Sequence, residues 1–315
     1  MLAALFAVGL EAAQAQQGRR LYRIGVLNEA WSANHPTVEG LKLGLRELGL
    51  EEGRDVNFDI RFTEGKPEAT PAAAAALVNA GVDLIFTSNE ASTQAAKAAT
   101  RKLPIVFTLV GDPVAAGIVA KLSRPGGNLT GISSLTTELV PKRLEALRTL
   151  SPSIRRVWAI YYADDPSSAA AVRKAQEAGP RLKLDLVIRP VRTSVELEDA
   201  LKALRPGDAL LPPDIGTMDI PAAILEASLS SRIAAVFPAA LWVGHGGLVS
   251  YGSDYHAQGV QAARLVAKIL RGAGPQELPV EGAHKINLAV NVKTAGLFGL
   301  SVPRKLLLRA ETIRR

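Results

Sequence analysis

Short apolar runs alternate along the chain with longer stretches that carry helical spacing. Residues 22–28 form a compact apolar run that predicts a buried strand. In 35–48, Val38, Leu41, Leu45 and Leu48 fall on one face of a helix. Gly49 and Gly53 punctuate the chain, and Val56, Phe58, Ile60 and Phe62 then alternate with polar residues as a strand does. The same reading predicts helices over 72–80, 91–101 and 113–122, with strands over 82–87, 105–110 and 129–133. A second series follows: helices over 139–150, 167–178, 195–204 and 220–230, and strands over 156–162, 184–191, 209–211 and 234–237. The last third gives a strand at 248–251, a helix over 256–270, a strand over 285–290 and a helix over 304–312.

Repeated strand–helix units of this length call for parallel sheets covered by helices on both faces. Two series, each about 110 residues long, give two lobes of similar design. The chain continues after the second series, so its late segments return to complete the lobes. The expected division is 1–15 as a signal peptide, 21–133 with 253–276 as the first lobe, and 134–252 with 277–315 as the second. Crossings are expected at 131–136, 249–253 and 275–282, where they would act as a hinge.

Composition narrows the class. The chain has 315 residues, 48% hydrophobic and 21% charged, enough for sizeable cores in one large or two medium domains. The net charge of +7 comes from basic residues spread along the chain, with no Lys/Arg run of the kind that marks a nucleic-acid face, so no nucleic-acid partner is expected. There is no cysteine, which removes disulfides, thiolate metal sites, Cys nucleophiles and an N-terminal lipid anchor. Residues 2–10 are apolar and Ala13-Gln14-Ala15 offers a small-x-small cleavage site, the pattern of a secretion signal. No other apolar run reaches the ~18 residues that span a bilayer, so the mature chain is expected to be periplasmic and not inserted in the membrane.

Several blocks carry a family likeness. They are Gly111-Asp112-Pro113-Val114-Ala115-Ala116-Gly117, Ser123-Arg124-Pro125-Gly126-Gly127-Asn128-Leu129-Thr130-Gly131-Ile132-Ser133-Ser134 and Lys142-Arg143-Leu144-Glu145. Later come Gly246-Gly247-Leu248-Val249-Ser250-Tyr251-Gly252, Lys268-Ile269-Leu270-Arg271-Gly272 and Asn291-Val292-Lys293-Thr294-Ala295. With these blocks the chain resembles the ABC-transporter substrate-binding proteins whose characterised members bind aromatic amino acids. The resemblance implies a two-lobed α/β fold of the type I periplasmic-binding class, each lobe a doubly wound, mainly parallel sheet, with several hinge crossovers. It also implies an amino acid or analogue bearing a carboxylate as ligand, and an ABC permease of the inner membrane as partner. The protein is expected to be a monomer and to need no cofactor.

In open parallel sheets ligands bind beyond the carboxyl ends of the strands. The first strand ends at Asn28, followed by Trp31, which either stacks on a flat ligand or packs on its own lobe. Ser88, Asn89, Glu90 and Ala91 open a helix after the next inner strand; free N–H groups there suit a carboxylate, and Asn89 equally serves as an ordinary cap. Members of the family usually carry a small residue at the place of Glu90, whose own charge would repel a bound carboxylate. Asp112 before Pro113 reads first as a cap and second as a ligand contact. Thr136 follows the strand over 129–133, Tyr162 ends the strand over 156–162, and Tyr251 lies at a crossing. Asp214 follows the strand over 209–211, where the family pattern is also acidic, and can accept from a ligand ammonium or act as a cap.

Enzymatic signatures are missing. There is no phosphate-binding Gly-x-x-x-x-Gly-Lys-Ser/Thr loop, no Gly-x-Gly-x-x-Gly after the first strand and no Gly-x-Ser-x-Gly elbow. His35, His245, His256 and His284 stand far apart, with no metal-ligand spacing. The leading expectation is a solute receptor that closes on its ligand and delivers it to a permease, and not an enzyme. The alternatives are a sensor for a membrane signalling partner, or an enzyme on the same fold, which would need a catalytic pair across the cleft. A DNA-binding regulator would need a headpiece before residue 22, where about 20 residues are too few for three helices.

Overall fold

The computed structural model describes residues 20–29, 34–64, 66–212 and 220–313. The expected signal peptide, Trp31 and Asp214 lie outside the described residues. In chain order the first series runs β1 (Tyr22–Asn28), α1 (Pro36–Glu47), β2 (Val56–Phe62), α2 (Thr70–Asn79), β3 (Leu84–Thr87), α3 (Glu90–Ala99), β4 (Ile105–Val110) and β5 (Leu129–Ser133). The second runs α4 (Val140–Leu150), β6 (Arg156–Tyr162), α5 (Pro166–Ala178), β7 (Asp185–Val191), α6 (Ser194–Lys202) and β8 (Ala209–Leu211). It continues with α7 (Ile220–Ser231), β9 (Ala234–Phe237), α8 (Ala240–Gly244) and β10 (Val249–Ser253). The chain ends with α9 (Tyr255–Leu270), β11 (Glu281–Gly282), β12 (Ile286–Asn291), α10 (Val292–Leu297), α11 (Arg304–Leu307) and β13 (Glu311–Ile313).

These strands form two open sheets. The first has the order β11-β5-β4-β3-β1-β2 and is parallel throughout. The second has the order β13-β12-β10-β9-β8-β6-β7 and is parallel except where β12 runs against β10. Alternate residues of a strand face opposite covers. Ile24 and Val26 therefore join the core under α1 and α9, whereas Leu27 packs with Leu77 and Phe107 on the other face. In the second sheet Val157 and Ala159 pack with Leu144 and Leu147 of α4, and Ile160 packs with Leu210 and Phe237.

The chain passes between the sheets three times, after β5, β10 and β11. The crossings are tied to one another: Ala283 N–H donates to the Ser133 carbonyl (2.8 Å) and Asp254 N–H to the Lys285 carbonyl (3.0 Å). The buried Gln258 amide bridges the ends of two strands, accepting from Leu109 N–H (3.2 Å) and donating to Ser253 Oγ (2.7 Å). Leu109 and Leu135 both sit in the left-handed region (φ 56° and 57°), a strain that non-glycine residues accept only where the surroundings fix it.

Three expectations are corrected. No helix forms over 113–122. Asp112 Oδ1 accepts from Val114 and Ala115 N–H (3.1 and 3.0 Å), and the turn ends at Gly117 with φ 64°. The helix over 304–312 stops at Leu307; Glu311–Ile313 instead pairs in parallel with β12, covering an edge that would otherwise be open. Within 277–315, Glu281–Gly282 pairs with Ile132–Ser133 and so belongs to the first sheet, because the chain crosses only after it.

Candidate ligand site between the two sheets

Both sheets share the same strand arrangement at one edge. In the first, β1 lies between β2 and β3, so the chain leaves β1 to one side and returns on the other. In the second, β6 lies between β7 and β8 in the same way. At such a switch point the connections part and leave a crevice at the carboxyl ends of the strands. The residues at the end of β1 and just after β1 and β3 are Asn28, Glu29, Ser88, Asn89 and Glu90. Those at the end of β6 and after it are Tyr162 to Ser167, and after β8 come Pro212 and the segment that holds Asp214.

The two switch points touch. Ser167 Oγ, at the start of α5, donates to Glu90 Oε2 at 2.7 Å and lies 3.5 Å from the Asp112 carbonyl. Asn89 organises the first-sheet side. Its Oδ1 caps α3 by accepting from Ser92 N–H (2.8 Å), and its Nδ2 donates to Glu29 Oε2 (2.9 Å). Thr70 Oγ1 donates to the other oxygen of Glu29 (3.2 Å). Burial raises the Glu29 carboxyl above its ordinary range, and the hydrogen bonds from Asn89 and Thr70 offset only part of that.

Buried hydroxyls with no hydrogen-bond partner among the described residues include Ser88 Oγ directly before Asn89, Thr137 Oγ1 beside the first crossing, and the phenol of Tyr162, whose side chain packs in the core under α6 and α7. Their residues are 4%, 1% and 7% exposed. Burial pushes the Tyr162 phenol up to about 12, so it is a neutral hydroxyl at physiological pH. Buried polar atoms are ordinarily paired, and an orphan such as Ser88 Oγ, just past the end of a parallel strand, is the expected mark of a site that a ligand or water completes.

Apart from Trp31 and Asp214, which lie outside the described residues, the residues singled out in the sequence fall into two groups. Asn28, Ser88, Asn89, Glu90 and Tyr162 border the paired switch points, and Asp112 joins them through Ser167. Ala91 is part of the first turn of α3. Thr136 and Tyr251 sit instead at crossings, both held through their carbonyls by the buried Arg143, whose Nη2 and Nε donate at 2.5 and 3.2 Å. The sequence places Glu29 after the first strand and Thr137 beside Thr136 at the cleft without marking either as a ligand contact, and it gives no site role to Arg143 or Ser167. Ser167 looks like an ordinary helix start until the structure sets it against Glu90: it follows β6, the strand that corresponds to β1, and meets the residue that opens the helix after β3.

His35 adds a pH-dependent element beside the crossing into α9. It caps α1, with Nδ1 accepting from Thr37 N–H (3.3 Å), and its ring stacks on Tyr255 at 6.1 Å. Burial lowers its pKa from 6.5 to about 4. A depressed folded-state value means that the unfolded chain takes up a proton first. Stability is therefore full above about pH 7 and falls as the pH drops from 6.5 towards 4, by roughly 1–2 kcal/mol at pH 5. His35→Asn keeps a capping side chain without the proton. Urea denaturation at pH 7 and pH 5 should show that extra loss in the wild type and not in the variant; equal losses would contradict it.

The sequence model of one family, described as ABC transporter substrate binding protein, matches residues 30–314. The chain belongs to this family. A tyrosine-binding protein of Clostridioides difficile (strain R20291) is 27% identical over 272 residues, 82% of this chain and 76% of the relative. Among solved structures, a conserved domain protein from Vibrio cholerae superposes with a TM-score of 0.85 at 27% identity, covering 94% of this chain and all of the other. The ABC domain from Streptococcus pneumoniae in complex with L-Trp gives 0.83 at 24% identity, again over 94% and 100% of the two chains. The fold is thus the type I periplasmic-binding α/β fold, and the Clostridioides difficile relative is described as a binding protein. Among the described residues no His, Asp and Glu side chains are grouped to hold a metal ion, and no helix is long and apolar enough to cross a membrane.

Proposed function

We propose that this protein is the periplasmic receptor of an ABC importer. It captures a small carboxylate-bearing ligand of the amino acid type between its two sheets and delivers it to a permease in the inner membrane. In this reading residues 1–15 direct export and are removed, and the mature receptor works as a monomer without a cofactor. The observation that carries the proposal is the junction of the two switch points, where Ser167 of one sheet meets Glu90 of the other, two residues on from the buried Ser88 hydroxyl, which has no partner among the described residues. A ligand that touches both sides stabilises the closed arrangement by its differential affinity for it. The tyrosine-binding relative supports an amino acid as ligand, and Trp31 suits an aromatic one.

Ser88→Ala and Asp214→Ala test the placement of the site. Each removes one hydrogen-bonding group at a strand end while leaving the cores intact. Each should weaken ligand binding by about 1.5–3 kcal/mol, or roughly 10- to 100-fold, with little change in folding stability. Titration calorimetry with the ligand found by screening reads this directly. Wild-type affinity in both variants would move the site elsewhere.

A further inference from the structure

The first-sheet side of the junction carries two carboxylates. Glu29 is held between Asn89 and Thr70, both neutral donors, so its hydrogen bonds leave its charge uncompensated. Glu90 stands at the first position of α3 and reaches across to Ser167. A helix start attracts anions, and here the protein supplies them itself. A ligand carboxylate placed at this point would bring a third negative group into a water-poor crevice. An ammonium would meet two acceptors, and its three N–H donors leave one for a hydroxyl. Ser88, directly before the Asn89 cap, is a buried hydroxyl with no partner among the described residues, and a hydroxyl accepts as readily as it donates.

We infer that Glu29 and Glu90 form the cation subsite of the receptor, so that the first lobe selects the protonated amine of the ligand and holds its carboxylate away from α3. This rests on the receptor reading above and adds the polarity with which the ligand lies. Because Glu90 also accepts from Ser167, the same carboxylate links amine recognition to contact between the lobes. An amine is then required for binding, and a carboxylate is not sufficient.

The test uses matched triplets on the purified protein: an amino acid, its decarboxylated amine and its deaminated acid, with aromatic and aliphatic side chains. Binding is measured by titration calorimetry for the wild type, Glu29→Gln and Glu90→Gln. The glutamine variants keep shape and hydrogen bonding, and thermal unfolding of each confirms that it is folded. The expected result is that amino acids and amines bind the wild type and the deaminated acids do not. Each glutamine variant should weaken the amine-bearing probes by roughly 10- to 100-fold. Deaminated acids that bind as well as amino acids would overturn the inference. So would glutamine variants that bind amine-bearing probes as the wild type does, and either result would leave the receptor reading standing. If no member of any triplet binds the wild type, the amino acid-type ligand itself is wrong, and this inference falls with it.

Discussion

Gly259→Val should destabilise the protein by about 3 kcal/mol or more, a drop of at least ~6 °C in the thermal midpoint. Helices α1 and α9 cross at backbone contact. A Cβ at Gly259 would lie 2.0 Å from the Thr37 carbonyl oxygen and 2.8 Å from Leu41 N, and one at Gly40 would lie 2.0 Å from the His256 carbonyl oxygen. The atoms in the way belong to the backbone, so relief requires the helices to separate and Val38, Leu41, Ala262, Ala263 and Val266 to lose their packing. Helix α9 follows the second crossing and leads towards the third, so its displacement would also disturb the hinge. Gly296→Ala is the control: Gly296 lies in α10, nothing stands within 4 Å of the added carbon, and no left-handed backbone is involved. It should be neutral or slightly stabilising. Denaturation curves for the two variants decide the matter, and similar midpoints would show that the helix crossing is not as tight as described.

Arg143→Met should cost about 3 kcal/mol and weaken ligand binding as well. Arg143 is 1% exposed and is the largest of the fully buried side chains. Its guanidinium donates to the carbonyl of Thr136, just after the first crossing, and to that of Tyr251 in β10, just before the second. Methionine fills much of the volume but leaves these buried carbonyls without their donor. Arg143→Lys should not restore the loss, because a single ammonium lacks the planar fork that serves two acceptors in different directions. Chemical denaturation and a ligand titration, run side by side, check both halves. Full stability in the lysine variant would show that only the charge matters.

The sequence disclosed most of the fold because its elements obey simple periodicities. The run Ile105–Val110 and the alternation in Val56–Phe62 both became strands as expected. The departures have specific causes, one local and one tertiary. Asp112 and Pro113 do start a turn, but Gly117 in the left-handed region ends it before a helix can grow. Residues Glu311–Ile313 form a strand only because β12 offers an edge to pair with, which no local pattern announces. The same limit applies to the site. Ser88, Asn89 and Glu90 could be found because they follow a recognisable strand. Ser167 could not, since its partner Glu90 is 77 positions away and only the order of strands in both sheets brings them together. Glu29 follows the first strand in plain view, but the sequence gives it no role, because its place in the site comes from Asn89 and Thr70 donating to it from distant segments.

The central claim is that the crevice between the sheets receives a small ligand. Thermal unfolding of the protein against amino acids, aromatic acids and nucleosides tests it most directly. A ligand at 100 times its dissociation constant adds about 2.7 kcal/mol to stability, which should raise the midpoint of a protein of this size by at least ~2 °C. The account predicts such a rise with one or more amino acids, and its reduction by about half or more at the same concentration in Ser88→Ala and Asp214→Ala. An unmoved midpoint across every amino acid, or a rise that both variants preserve in full, would contradict it.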